Sequence, residues 1–182
     1  ADMLPPRKDA EEELLAMIEK TINRGGKVLI PELGLGRSQE TMLIIHNAIM
    51  TGRLKNIPIY IDGMIWDINA IHTAYPDFLS GKIRTQIFQD NNPFVSDVFS
   101  RVGSFQERKN VIQGGPSIVL ATSGMLMGGA SVEYLREYAS NPNNTILFVC
   151  YQGSGSLGRQ IQEGIKQTIM SEMELPRPLF WR

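Results

Sequence analysis

Lys27-Val28-Leu29-Ile30-Pro31-Glu32-Leu33-Gly34-Leu35-Gly36-Arg37-Ser38-Gln39-Glu40 decides the fold. Lys27 to Pro31 is a short, nearly continuous apolar run. It lacks the alternation of a strand wetted on one side, and so predicts a strand buried on both faces. Two closely spaced glycines follow, and a helix is predicted from Ser38 to about Thr51, with Met42, Ile45 and Ile49 on one face. Strand, glycine turn and helix in this order form the building unit of an α/β sheet.

The same grammar extends in both directions. Upstream, Asp9 is expected to cap a helix, with Glu12 completing a capping box. Leu14, Ile18 and Ile22, joined by Leu15, mark its apolar face, and Gly25-Gly26 stops it. Downstream, Ile57-Pro58-Ile59-Tyr60-Ile61 predicts a strand with its proline at the start, where a missing N–H costs least. A helix is expected from Met64 to about Tyr75, ending before Pro76. Residues 77–113 give only helical fragments, an Asn91-Asn92-Pro93 turn and, just beyond, a Gly114-Gly115 break. Ser117 to Thr122 is a strand, Ser131 to Tyr138 a helix and Thr145 to Tyr151 a strand, and a last helix begins near Ser156. Strands near 27–31, 57–61, 117–122 and 145–151 predict an α/β, Rossmann-like three-layer domain. Its sheet is expected to be mainly parallel, of about four to six strands, flanked by helices with right-handed crossovers. Residues 1–164 form this domain, and 165–182 are a tail that matches no pattern.

Composition bounds the chemistry. The chain has 182 residues, 42% of them hydrophobic, which suits one domain with a sizeable core. Lysine plus arginine (18) nearly balances aspartate plus glutamate (19), so any nucleic-acid contact must be a local patch rather than a bulk basic field. The single cysteine, Cys150, rules out an intramolecular disulfide, and its apolar setting predicts a buried thiol in a reducing compartment. No apolar run has the length of a membrane span. The Pro- and charge-rich start has no signal-peptide core, so a cytoplasmic location is expected.

In an open α/β sheet ligands bind beyond the carboxyl ends of the strands. There the predicted strands run into Gly34 to Glu40, Asp62-Gly63, Ser123 to Gly129, and Gln152 to Arg159. Glycines let backbone N–H groups approach an anion, helix N-termini favour negative charge, and arginine forks recognise phosphate. Such loops on one rim point to a polyanion running across it. Each loop taken alone is explained as well by turn geometry and helix capping.

Two other readings stay open at this stage. Gly34-x-Gly36 followed by Asp62 after the next strand suggests a nucleotide or dinucleotide site with Asp62 on a ribose. However, Gln39 stands where a third glycine belongs and no Gly-Lys-Ser/Thr exists. Met125-Leu126-Met127, an apolar triplet between glycines, suggests a protein-docking surface. No metal cluster is visible. His46 and His72 fall at helical spacing with apolar residues and are expected to be part-buried and structural. The Glu11-Glu12-Glu13 run suits the first turns of a solvated helix.

Several segments resemble the β-CASP domain of archaeal metallo-β-lactamase-type ribonucleases, the cleavage and polyadenylation specificity factor-like nucleases of mRNA 3′-end processing. Gly36-Arg37-Ser38-Gln39-Glu40 after the first strand is similar to that family's strand-to-helix hallmark. Pro58 to Trp66 with Ala70 to Pro76, Asn92-Pro93-Phe94, Ala121 to Met125 with Gly128-Gly129 and Ser131, and Gln152 to Gln160 resemble further segments in the same order. The likeness spans roughly residues 9–164. Pro31 to Leu35 departs from the small apolar stretch of the family.

The resemblance implies a zinc-dependent ribonuclease whose β-CASP part grips single-stranded RNA against a metallo-β-lactamase domain. The family's His-x-His-x-Asp-His zinc cluster does not occur in this sequence, so no catalytic or metal-binding residue is assigned here and the chain alone is expected to be inactive. Zinc is expected only in the partner domain. The matching residues imply phosphate contacts at Gly34, Gly36, Arg37 and Ser38, then at Ser123 and Gly124, and at Arg159. Gln39 and Glu40 are expected either to orient Arg37 or to cap the helix.

Overall fold

The computed structural model describes residues 7–164, so the predicted tail at 165–182 lies outside the described residues. The elements in chain order are α1 (Arg7–Asn23), β1 (Val28–Pro31), α2 (Arg37–Met50), β2 (Ile59–Asp62), α3 (Ile65–Ala74), a 3-10 turn (Pro76–Phe78) and α4 (Gly81–Phe88). They continue with β3 (Phe99–Val102), α5 (Phe105–Gln113), β4 (Ile118–Ala121), α6 (Ala130–Tyr138), β5 (Thr145–Ile146) and α7 (Leu157–Gln162). The strands form one five-stranded sheet in the order β3-β2-β4-β1-β5. Every pairing is parallel.

The alternation of β1 builds the three layers. Val28 and Ile30 point to one face, where Leu14 and Ile18 of α1, Met42 and Ile45 of α2 and Ile65 of α3 cover them. Leu29 points to the other, into a cluster with Val111 of α5, Leu135 and Tyr138 of α6 and Ile161 of α7. Side chains on both faces are fully buried, as the unbroken apolar run required.

Three expectations are corrected. Helix α1 already begins at Arg7, so Asp9 lies inside its first turn rather than at its cap. A strand missing from the sequence reading, β3, lies at the sheet edge. Its Ser100 and Arg101 face solvent, which breaks the apolar run that marks the inner strands. The strand expected to reach residue 151 is paired only over Thr145–Ile146. The β1–β5 ladder runs through Thr145 N–H to Lys27 O and Leu147 N–H to Leu29 O. Its next donor would be the amide of Pro31, which has no N–H, and the ladder ends there.

Candidate nucleic-acid interface

Because the strands are parallel, the loops after β1, β2, β4 and β5 leave the sheet at one edge. They also touch. Gly124 is the hub: a Cβ there would stand 2.8 Å from the backbone of Glu32 and Leu33 and 2.9 Å from Cys150 Sγ, so only glycine fits. Its carbonyl accepts the Gln152 amide at 2.9 Å, and Gly158 N–H donates to Met125 O at 3.2 Å. From β2, the Met64 side chain lies on Gly34, where a Cβ would meet its Cγ at 2.6 Å. The expected rim is therefore a single surface.

On this rim the candidate residues divide. Arg37 and Arg159 point outward, their side chains about half exposed. Each is paired: Arg37 Nη1 with Glu40 Oε2 at 2.6 Å, and Arg159 Nε with Glu163 Oε1 at 2.8 Å. Gly36 is exposed, at φ +87°, a conformation open to glycine at little cost. Its N–H donates to Gln39 Oε1 at 2.6 Å, so it is committed to capping α2. The remaining candidates face inward. Ser38 is fully buried and its hydroxyl donates to Gly34 O at 3.0 Å. Ser123 Oγ accepts Met127 N–H at 2.9 Å and donates to Gly128 O at 3.2 Å, closing its own loop. Gly34 and Gly124 are packing positions. Gln39 caps the helix and also donates to Gly34 O and Asn69 Oδ1, whereas Glu40 holds Arg37.

Arg7, the first residue of α1, belongs to this cluster too. Its Nη2 reaches Glu40 Oε1 at 2.9 Å. A cavity of about 70 Å³ lies beside these groups, lined among others by Leu14, Thr41 and Val149. Nucleotide-sized ligands occupy cavities of roughly 300 Å³ or more, so this one is too small for them.

Asp62 is not offered to a ribose. It is 1% exposed and accepts both Arg108 Nε (2.8 Å) and Nη2 (3.0 Å), with Tyr134 O–H donating at 2.9 Å. Arg108 also holds Glu133 at 2.8 Å. The network ties β2 to α5 and α6. The guanidinium pKa is raised, first by its hydrogen bond to Asp62, and the Tyr134 phenol is pushed up, first by burial. Sequence reasoning missed it because its members are separated by up to 72 positions.

Glu32 is the other residue missed. It is fully buried, and neither carboxylate oxygen has a hydrogen-bond partner. Burial pushes its pKa up to about 8, while Thr41 and Arg37 pull the other way. Cys150 lies nearby, half-buried, with Pro31 O, Gly124 O and Gln152 around its thiol. Burial first, then the Glu32 carboxyl, pushes that thiol up to about 11, which leaves it protonated and a poor nucleophile.

His46 stacks on Phe99 at 6.3 Å and His72 lies 5.9 Å from Phe94. Among the described residues no group of His, Cys, Asp and Glu is arranged to hold a metal ion. The residues here do not fit a zinc site. The apolar triplet splits: Leu126 is buried in the core and Met127 is exposed. Leu33, Leu35, Met64 and Tyr151 are exposed on the same rim. No helix of the described residues is long and apolar enough to cross a membrane.

A Beta-Casp domain model matches residues 38–161, more than half of the chain. The chain belongs to the Beta-Casp domain family. Proteins named transcription termination factor FttA are similar over most of its length. The one from Methanothermobacter thermautotrophicus is 50% identical over 167 residues, and that from Methanocaldococcus jannaschii 53% over 168. Each alignment takes in 91% of this chain and 26% of the relative. The Pyrococcus horikoshii protein is 48% identical over 171 residues, 93% of this chain and again 26% of the relative. This Beta-Casp chain thus spans about a quarter of the length of these relatives.

Proposed function

We propose that this chain is the RNA-gripping part of a zinc-dependent ribonuclease that works on transcript 3′ ends, in termination, processing or decay. Single-stranded RNA crosses the rim, and hydrolysis belongs to a metallo-β-lactamase domain of the parent protein, where the zinc is held. The observation that carries this reading is the convergence of the β1, β4 and β5 loops on one edge with Arg37 and Arg159 projecting from it. The Glu40 pair occupies Arg37 Nη1. The Nε–Nη2 edge of the guanidinium keeps the parallel donors that a phosphate takes bidentately. The exposed Leu33, Leu35, Met64, Met127 and Tyr151 suit a rim that is covered by the partner domain as the RNA is enclosed.

Fluorescence anisotropy with labelled single-stranded RNA tests the reading. Arg37→Ala is expected to weaken binding across sequences and to lower the salt slope by about 0.7, the single-strand value for one phosphate contact. Lys55→Ala, at the opposite edge of the sheet, is the control. Unchanged affinity and slope in Arg37→Ala, here and in the full-length parent, would remove the rim as a phosphate site. The isolated chain should not cleave RNA with added zinc, and chelator-sensitive cleavage that survives repurification would overturn that part.

A further inference from the structure

Helix α4 stands apart from the body of the domain. It packs mainly on the 3-10 turn before it, and no residue of either element is buried. Ile83 and Ile87 turn inward and are half-covered. Successive residues of a helix are about 100° apart, so Lys82, Arg84, Thr85, Phe88 and the following Gln89 form one continuous outward face. All five are exposed. That face carries two cations, an aromatic ring, a hydroxyl and an amide, and no carboxylate. The acids nearest in sequence, Asp77 and Asp90, lie outside the helix.

This face differs from the rim. There each arginine is held by a glutamate. Among the described residues neither Lys82 nor Arg84 pairs with a carboxylate. Phe88 shares the face with these cations, and the 3-10 turn against which α4 packs, with the residue before it, adds two further rings that folding leaves in water: Phe78 is 88% exposed, Phe88 67% and Tyr75 61%. An apolar protein partner would account for the rings but would have to bury two cations. A duplex would use the cations and leave the rings idle. Unpaired bases on a phosphate backbone use both, by stacking on the rings while the phosphates meet Lys82 and Arg84.

We propose that the outward face of α4, with Phe78 and Tyr75, is a second contact for single-stranded RNA, separate from the rim. It rests on the reading of this chain as RNA-binding, and adds an anchor away from the Arg37 loop that grips bases as well as phosphates.

The test is anisotropy with a fluorescein-labelled oligouridine, and a duplex RNA beside it, on the full chain over a salt series. Lys82→Gln/Arg84→Gln is expected to weaken oligouridine binding and to lower the salt slope by about 1.4, the sum for two phosphate contacts. Phe78→Ala/Phe88→Ala is expected to weaken it at least about fivefold with the slope unchanged, and to leave the duplex alone. None of these side chains is buried, so melting temperatures should hold, and a matching melt confirms that each variant is folded. If both double variants bind as the wild type does while Arg37→Ala binds more weakly, the α4 contact is refuted and the rim reading stands. If the α4 variants weaken binding and Arg37→Ala does not, the rim reading falls and this one stands. A wild-type chain that binds no oligouridine refutes both.

Discussion

Replacing Glu32 by glutamine should change how stability depends on pH, and the sign follows from burial. In the folded chain the Glu32 carboxyl has no exposed surface and no hydrogen-bond partner, and its pKa is pushed up to about 8 from an ordinary 4.5. Between those values the unfolded chain releases the proton and the folded chain keeps it. Folding stability therefore falls as pH rises through this window and levels off above about 8. One pKa unit corresponds to about 1.4 kcal/mol, so the wild type should lose about 2–3 kcal/mol through this residue between pH 5.5 and 7.5. Glutamine is nearly isosteric and does not titrate. Its amide N–H groups still need partners, which costs roughly 1–3 kcal/mol independent of pH. The difference in stability between variant and wild type should thus move by about 2–3 kcal/mol in favour of the variant from pH 5.5 to 7.5, whatever its starting value. Urea unfolding followed by circular dichroism at several pH values measures it. A constant difference over that range would mean that Glu32 is ionised in the fold, and would sink the description of the site beneath α2.

The Asp62 network should be costly to break. Arg108→Met leaves a buried carboxylate without its cation and should destabilise by about 3–5 kcal/mol, whereas Tyr134→Phe, which removes one hydrogen bond, should cost about 1–2; urea titration separates the two. Gly124→Ala pushes a methyl group into the backbone of Glu32 and Leu33 and should cost roughly 1–3 kcal/mol or more. A wild-type melting temperature in that variant would mean that the loops are not locked together there. Cys150 should react with Ellman's reagent about a hundredfold more slowly in the folded chain than in urea at pH 8, since burial lowers its thiolate fraction by about that factor. Equal rates would place the thiol in water.

How far the fold was legible depended on where each strand lies. The inner strands β1, β2 and β4 announce themselves as Val28-Leu29-Ile30, Ile59-Tyr60-Ile61 and Ile118-Val119-Leu120 because both faces are covered. β3 does not, because an edge strand may carry Ser100 and Arg101 into solvent without cost. The rim was legible for the same reason as the inner strands, since parallel pairing alone sends the following loops to one edge. The roles of the residues on it were less so. Ser38 and Ser123 are suitable phosphate ligands by type, but a hydroxyl beside a glycine turn is equally placed to bind the turn's own carbonyls, and here both do. Asp62 and Arg108 lie 46 positions apart, and nothing local marks them as partners. Glu32 did carry a signal. Period-two alternation from Val28 and Ile30 puts residue 32 on the covered face, so a charged residue there was bound to be buried.

The pairing of the rim arginines bears on how RNA is gripped. A phosphate arriving at Arg37 must either share the guanidinium with Glu40 or displace it, and Glu40 already has a second cation in Arg7. Exposed ion pairs are worth about 0–1 kcal/mol, so displacement is cheap, and Glu40 does not lose its charge compensation when Arg37 turns away. Removing Glu40 should then strengthen RNA binding by no more than a few-fold, because only that small pairing energy is released. Removing Arg37 forfeits the phosphate contact itself. If Glu40→Gln instead weakened binding as much as Arg37→Ala, the glutamate would be holding the arginine in its working orientation. The pair, rather than the arginine alone, would then be the recognition element.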